Sequence, residues 1–108
     1  MRSGKVFVSN QFAGRIYESD EGFIFAYDQN YLRIENATPV SLTMPLQSDE
    51  YKSKTMFPFF DGLIPEGWLL SITQKHWKIQ SNDRMALLLT VCRDCIGNVH
   101  IENEEENI

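Results

Sequence analysis

Phe57-Pro58-Phe59-Phe60-Asp61-Gly62-Leu63-Ile64-Pro65-Glu66-Gly67-Trp68 divides this sequence into a β-rich front and a helical back. Two prolines restrict its backbone, two glycines permit tight turns, and six large apolar side chains require a surface to cover them. Phe59, Phe60 and Leu63 read as core, filling the space between a sheet and helices. Pro65 suits the first turn of a helix, where its missing N–H costs nothing, and Glu66 favours the positive helix N-terminus. A helix over 65–77 is therefore expected. In it Leu69, Ile72 and His76 follow a 3-then-4 spacing, repeated one step round by Leu70, Thr73 and Trp77, which marks one wide buried face. Trp68 lies about 100° from Leu69 on such a helix, beside the stripe and not within it. It has two readings: an exposed aromatic next to a rigid turn, of the kind that anchors interfaces, or a side chain mostly buried, as tryptophans usually are.

Upstream of this stretch, Val6-Phe7-Val8, Arg15-Ile16-Tyr17 and Phe23-Ile24-Phe25-Ala26-Tyr27 are rich in β-branched and aromatic residues. Gly14 and the turn sequence Asp20-Glu21-Gly22 separate them, so a meander of antiparallel strands is predicted. Tyr31-Leu32-Arg33-Ile34 reads as a further short strand or turn. Val40-Ser41-Leu42-Thr43-Met44 alternates apolar with small polar side chains until Pro45 stops it. The polar run 46–57, built around Tyr51, has neither helical nor strand period and is expected to be an exposed loop.

Downstream, a second helix is predicted to begin in Gln80-Ser81-Asn82-Asp83, with Met85, Leu88 and Leu89 as its inward stripe. Ser81 and Asn82 are the cap candidates, since either side chain can accept from an unpaired first-turn amide. Cys92-Arg93-Asp94-Cys95-Ile96-Gly97 reads as a turn and Asn98-Val99-His100-Ile101 as a closing strand. The fold class predicted is α+β, a small antiparallel sheet with two helices packed on one side. One domain over 1–101 is expected, followed by an acidic tail over 102–108 whose like charges favour a solvated end.

The chain of 108 residues is large enough for one core, and 43% hydrophobic with 23% charged residues is ordinary for a folded globular protein. Ten Lys plus Arg against fifteen Asp plus Glu give a formal charge of -5, and the basic residues form no stripe. Binding to phosphate backbones draws on clustered positive charge, so direct nucleic-acid binding is not expected. The start of the chain shows no apolar signal core. The longest apolar run, Met85-Ala86-Leu87-Leu88-Leu89, is far short of the roughly 20 residues a bilayer span needs. A cytoplasmic protein with reduced thiols and no membrane association is expected.

Cys92 and Cys95 have the spacing of a redox or metal half-site, and Arg93 between them would lower a thiol pKa. A structural zinc site wants four ligands, and the sequence has no second Cys pair; His76 and His100 each have a structural place on a helix face and the last strand. Structural cysteines and no bound metal or other cofactor are the expectation. Gly62 and Gly67 lack the following Lys-Ser/Thr of a phosphate-binding loop, and no kinase-type glycine cluster is present. No enzymatic activity is expected.

Four segments taken in order resemble the N-terminal subdomain of HipA-type serine/threonine kinases. They are Phe25-Ala26-Tyr27-Asp28, then Pro39-Val40-Ser41-Leu42-Thr43-Met44-Pro45-Leu46, then Phe59-Phe60-Asp61-Gly62-Leu63-Ile64-Pro65-Glu66-Gly67, and Arg93-Asp94-Cys95-Ile96-Gly97-Asn98-Val99. The third is the most specific. Cys92 stands where the family commonly has Gly, and Gly62 replaces a frequent Asn. The resemblance implies a barrel-like antiparallel sheet with helices and no catalytic motif. Because the kinase body of HipA is missing after Ile108, the sequence also resembles the HipS antitoxins of HipBST systems. In those systems the kinase toxin HipT is a separate chain and HipB is the DNA-binding partner.

That likeness implies an antitoxin that binds and inhibits a HipT-like kinase, with a HipB-like protein as a further candidate for the same complex. It implies partner-binding roles for Asp61, Ile64, Pro65, Glu66, Gly67 and Trp68. The other readings are a non-inhibitory structural subunit of a kinase complex, a thiol-active protein, and a fragment of a longer HipA-like kinase. The polar ending Glu102-Asn103-Glu104-Glu105-Glu106 is the expectation that counts against the last.

Overall fold

The strands expected from the front of the chain run longer than their apolar cores. A computed structural model describes residues 2–64, 83–92 and 98–104. Within them β1 spans Ser3–Val8, β2 Gln11–Ser19 and β3 Gly22–Tyr27; a short edge strand, β4, spans Tyr51–Ser53, and β5 spans Val99–Asn103. All neighbours are antiparallel, in the order β4-β3-β2-β1-β5. The sheet is open: β4 and β5 stand at its two ends, with no ladder joining them among the described residues. Helices α1, Gln29–Leu32, α2, Pro58–Asp61, and α3, Arg84–Val91, complete the α+β arrangement.

Side chains alternate across the pleat, so Val6, Val8, Ile16, Phe25, Tyr27, Val99 and Ile101 face one side and are buried. Met85, Leu87, Leu88 and Leu89 of α3 close over them. The helix thus buries the expected stripe and Leu87 as well. Its cap is Asp83, not Ser81 or Asn82: the Asp83 carboxylate accepts from the Ala86 N–H at 3.2 Å.

Gly14 does not end a strand. It sits inside β2, where a Cβ would lie 2.3 Å from the Ala26 carbonyl oxygen, so glycine is what lets β3 approach. The true corner is Ser9-Asn10, both with positive φ (49° and 67°), as the two-residue turn of a right-twisted hairpin requires.

Three further expectations change. Tyr31 and Leu32 belong to the single helical turn α1, capped by the Asp28 carboxylate on the Tyr31 N–H. The run 46–57 is not wholly a loop: Tyr51–Ser53 pairs with Phe23–Phe25, and Met56 and Phe57 are buried. A three-residue edge strand with one outward lysine is too short to show a period. At the far end Glu102 and Asn103 lie within β5, Glu102 opposite Lys5, and the Glu104 carboxylate accepts from Arg15 Nε at 3.1 Å. Opposite charges across the ladder draw the start of the acidic run into the sheet, past the boundary expected at residue 101.

Arg2 ties the sheet to α3. Its guanidinium donates to Glu18 at 2.6 and 3.0 Å and to Asp83 at 3.0 Å. Those bonds hold the Glu18 and Asp83 carboxyls below the usual carboxylate range, with the Ala86 N–H assisting at Asp83. A depressed carboxylate contributes stability above its unfolded pKa and loses it as pH falls through the lower folded value. The melting temperature should be level near neutrality and fall below about pH 4. Arg2→Met should lower the neutral melting point slightly and flatten the acid limb, since all three side chains are partly exposed. An unchanged acid limb in Arg2→Met would show that these pairs contribute nothing.

Candidate functional site

The chain enters the expected docking segment from a fixed base. Pro58 begins α2, where its missing N–H is not needed, and Phe60 drops into the core with no exposed surface. Its ring meets Phe25 of the sheet at 5.3 Å between centroids, Phe59 at 5.1 Å and Phe57 at 6.1 Å. Phe59 and Leu63 are partly buried against the same cluster. The core role read for this trio is therefore strongest at Phe60.

Two bonds tie the end of α2 to α3. The Asp61 carboxylate accepts from Arg84 Nε at 2.5 Å, across 23 positions of sequence. The Cys92 thiol, at the end of α3 and buried, points at the Leu63 carbonyl from 3.7 Å. The backbone continues the turn, with Leu63 N–H donating to Phe60 O at 3.1 Å and Ile64 N–H to Asp61 O at 3.2 Å. Sheet, α2 and α3 thus fix the backbone up to residue 64 from three directions.

Of the six residues expected to bind a partner, Asp61 is at the surface, its side chain 44% exposed beside Arg84. Ile64 is 5% exposed and belongs to the core cluster, so its side chain supports the base from within. Pro65, Glu66, Gly67 and Trp68 lie outside the described residues, as do the helix expected over 65–77 and Cys95. Arg84 went unnoticed in the sequence because nothing local distinguishes an arginine at a helix start from a solvated one. No group of three or more metal-ligating side chains converges among the described residues. No helix there is long and apolar enough to cross a membrane.

A second feature of the surface is the segment 38–45, which contains the Val40 to Met44 alternation read as strand-like. Its backbone bonds go to tyrosines instead of a ladder. The Tyr27 hydroxyl accepts from the Val40 N–H at 2.9 Å and donates to the Met44 carbonyl. Tyr31 accepts from the Thr38 N–H and donates to the Thr38 carbonyl, and the Tyr51 hydroxyl donates to the Pro45 carbonyl. Burial pushes the Tyr27 hydroxyl pKa up to about 12. Between these ties the chain makes a tight turn closed by Met44 N–H to Ser41 O at 3.0 Å, with Leu42 at its tip.

Comparison with known proteins bears on this geometry. A family described as the HipA N-terminal domain matches residues 4–102. An uncharacterized protein of Haemophilus influenzae is 37% identical over 106 residues, which cover 98% of this chain and 96% of that protein. A solved structure described as the N-terminal domain of HipA toxin superposes with a TM-score of 0.75 at 35% identity, covering 98% of this chain and 95% of that one. Y4mE of Sinorhizobium fredii, a protein named as a kinase, is 26% identical over 102 residues; the match takes 94% of this chain but 24% of Y4mE.

Proposed function

This chain belongs to the HipA N-terminal domain family, and on that premise we propose that it is an antitoxin that docks on a separate HipT-like serine/threonine kinase and holds it inactive, without catalysis of its own. The observation that carries the reading is one of coverage. The family match occupies residues 4–102; the Haemophilus influenzae relative is matched over 96% of its own length and kinase-named Y4mE over 24%, so the domain occurs both in a protein of about its own length and within a longer kinase-named one. In this proposal the surface that the domain turns to the rest of a kinase in longer relatives is the one this chain turns to a separate kinase.

The base described above supports the reading. A segment fixed at its entry loses less conformational entropy on binding, and that lowers the cost of presenting an anchor. In this proposal the base formed by Phe60, Asp61 and Ile64 carries Pro65, Glu66, Gly67 and Trp68 to the kinase and blocks productive engagement of ATP or substrate. A HipB-like DNA-binding protein is a further candidate for the same complex; the chain's own net charge of -5 gives it little attraction to nucleic acid.

The test is co-expression with a HipT-like kinase from the same organism, together with purification of the two. Growth should be restored, the proteins should co-elute, and kinase autophosphorylation should fall at least tenfold at saturation. Co-elution with undiminished autophosphorylation would replace the antitoxin by a structural subunit. Absence of any complex would end the proposal.

A further inference from the structure

Asp61 is one of the residues expected to touch a partner, yet its polar groups are engaged within the chain. Its N–H donates to the Phe57 carbonyl at 2.9 Å, its carbonyl accepts from the Ile64 N–H at 3.2 Å, and its carboxylate accepts from Arg84 Nε at 2.5 Å. These bonds fix the end of α2 and the turn that leads to Ile64. Arg84 is well placed to hold them. It opens α3 next to the cap Asp83, whose carboxylate accepts from Arg2 at 3.0 Å, and Arg2 also donates to Glu18 of β2. A run of opposite charges, joined at the Asp83–Arg84 peptide bond, thus leads from the sheet through the start of α3 to the turn that ends at Ile64.

We infer that Arg84 is a positioning residue for kinase docking, and that Asp61 serves docking through Arg84 instead of by touching the kinase. This inference rests on the proposed antitoxin reading. The Asp61 carboxylate is already neutralised by a guanidinium, which leaves it little attraction for a second cation. Magnitude separates the two roles. The side chains of Arg84 and Asp61 are 28% and 44% exposed, and solvent screening leaves such a pair little net strength. The pair can bias the turn only by what it contributes. Losing it therefore lowers affinity by the fraction of molecules in which the turn is released, about threefold to fivefold. A carboxylate paired with a cation of the kinase in a dry interface would cost about thirtyfold or more when removed, whatever stood at position 84.

The experiment measures the affinity of a purified HipT-like kinase from the same organism for the full chain, alongside thermal melting of each variant alone. Asp61→Ala and Arg84→Met should each weaken binding about threefold to fivefold. The double variant should bind no worse than either single one, because both changes remove the same bond. Arg84→Lys keeps the charge and should recover part of the loss. Arg15→Met breaks a pair of the same kind, Arg15 to Glu104 at 3.1 Å, and should bind as wild type with a melting shift like that of Arg84→Met. An equal loss of affinity in Arg15→Met would make the effect one of general stability and overturn the positioning role. A loss beyond tenfold in Asp61→Ala with Arg84→Met at wild-type affinity would make Asp61 a kinase contact and overturn it too. Losses that multiply in the double variant, or single variants that bind as wild type, do the same. In all these cases binding by the wild type leaves the antitoxin reading standing. A wild type that does not bind the kinase overturns both.

Discussion

Trp68→Ala is expected to lower affinity for the kinase about thirtyfold, corresponding to about 2 kcal/mol, while leaving the melting temperature of the free protein unchanged. Trp68 follows Pro65-Glu66-Gly67, and the base that carries this segment is built from other residues: Phe60 under the sheet, Asp61 on Arg84, Ile64 in the core. An anchor borne on such a base is removed without disturbing it. A core tryptophan behaves differently and would lower stability by about 3–5 kcal/mol when truncated. Melting and binding measured on one preparation separate the two. Normal melting with full inhibition would remove Trp68 from the interface and place the contact elsewhere on the surface. If the alanine variant does not fold, Trp68→Phe retains much of the apolar volume and becomes the probe of binding.

Phe60→Ala is expected to have the largest effect on stability, about 3–5 kcal/mol. The ring has no exposed surface and joins Phe25 on β3 to Phe57 and Phe59, so its removal leaves a hole where sheet and α2 meet. For a domain of this size the melting temperature should drop by about 15 °C or more, and a total stability of about 5–15 kcal/mol leaves little reserve at growth temperature. Phe60→Leu should recover part of the loss by refilling the site. A drop of only a few degrees in Phe60→Ala would show that α2 is held chiefly by the Asp61–Arg84 pair and the Cys92 contact. Binding should fall with stability here, in contrast to Trp68→Ala, where binding alone should fall.

The strands of the front half were legible because burial on one face imposes a period of two, as at Val6, Val8, Ile16, Phe25 and Tyr27. The elements that were misread are those decided by partners far away in sequence. Val40 to Met44 has the alternation of a strand, yet its backbone groups are taken by the Tyr27 hydroxyl, 13 and 17 positions away, so a turn forms where a ladder was expected. Ser81, Asn82 and Asp83 are all good caps locally; Asp83 prevails in the fold, where it also meets Arg2 from the other end of the chain. Gly14 has the look of a strand end, and only the close approach of β3 explains it. At the candidate site Asp61 was picked out by its motif, whereas Arg84 and the exposed tip at Leu42 had no local signal.

The ladder between β1 and β5 joins Gly4 to Asn103 and Val8 to Val99, so the sheet is completed by the two ends of the domain meeting. Such distant pairing makes order of synthesis matter. A ribosome that has delivered β1 to β4 has released a sheet whose β1 edge is still open, and contacts of this separation are slow to form. The fold closes only once the last strand has cleared the exit tunnel. Where a domain of this topology leads a longer polypeptide, it therefore completes before the chain that follows it has emerged, and it stands ready as a surface against which that chain can settle.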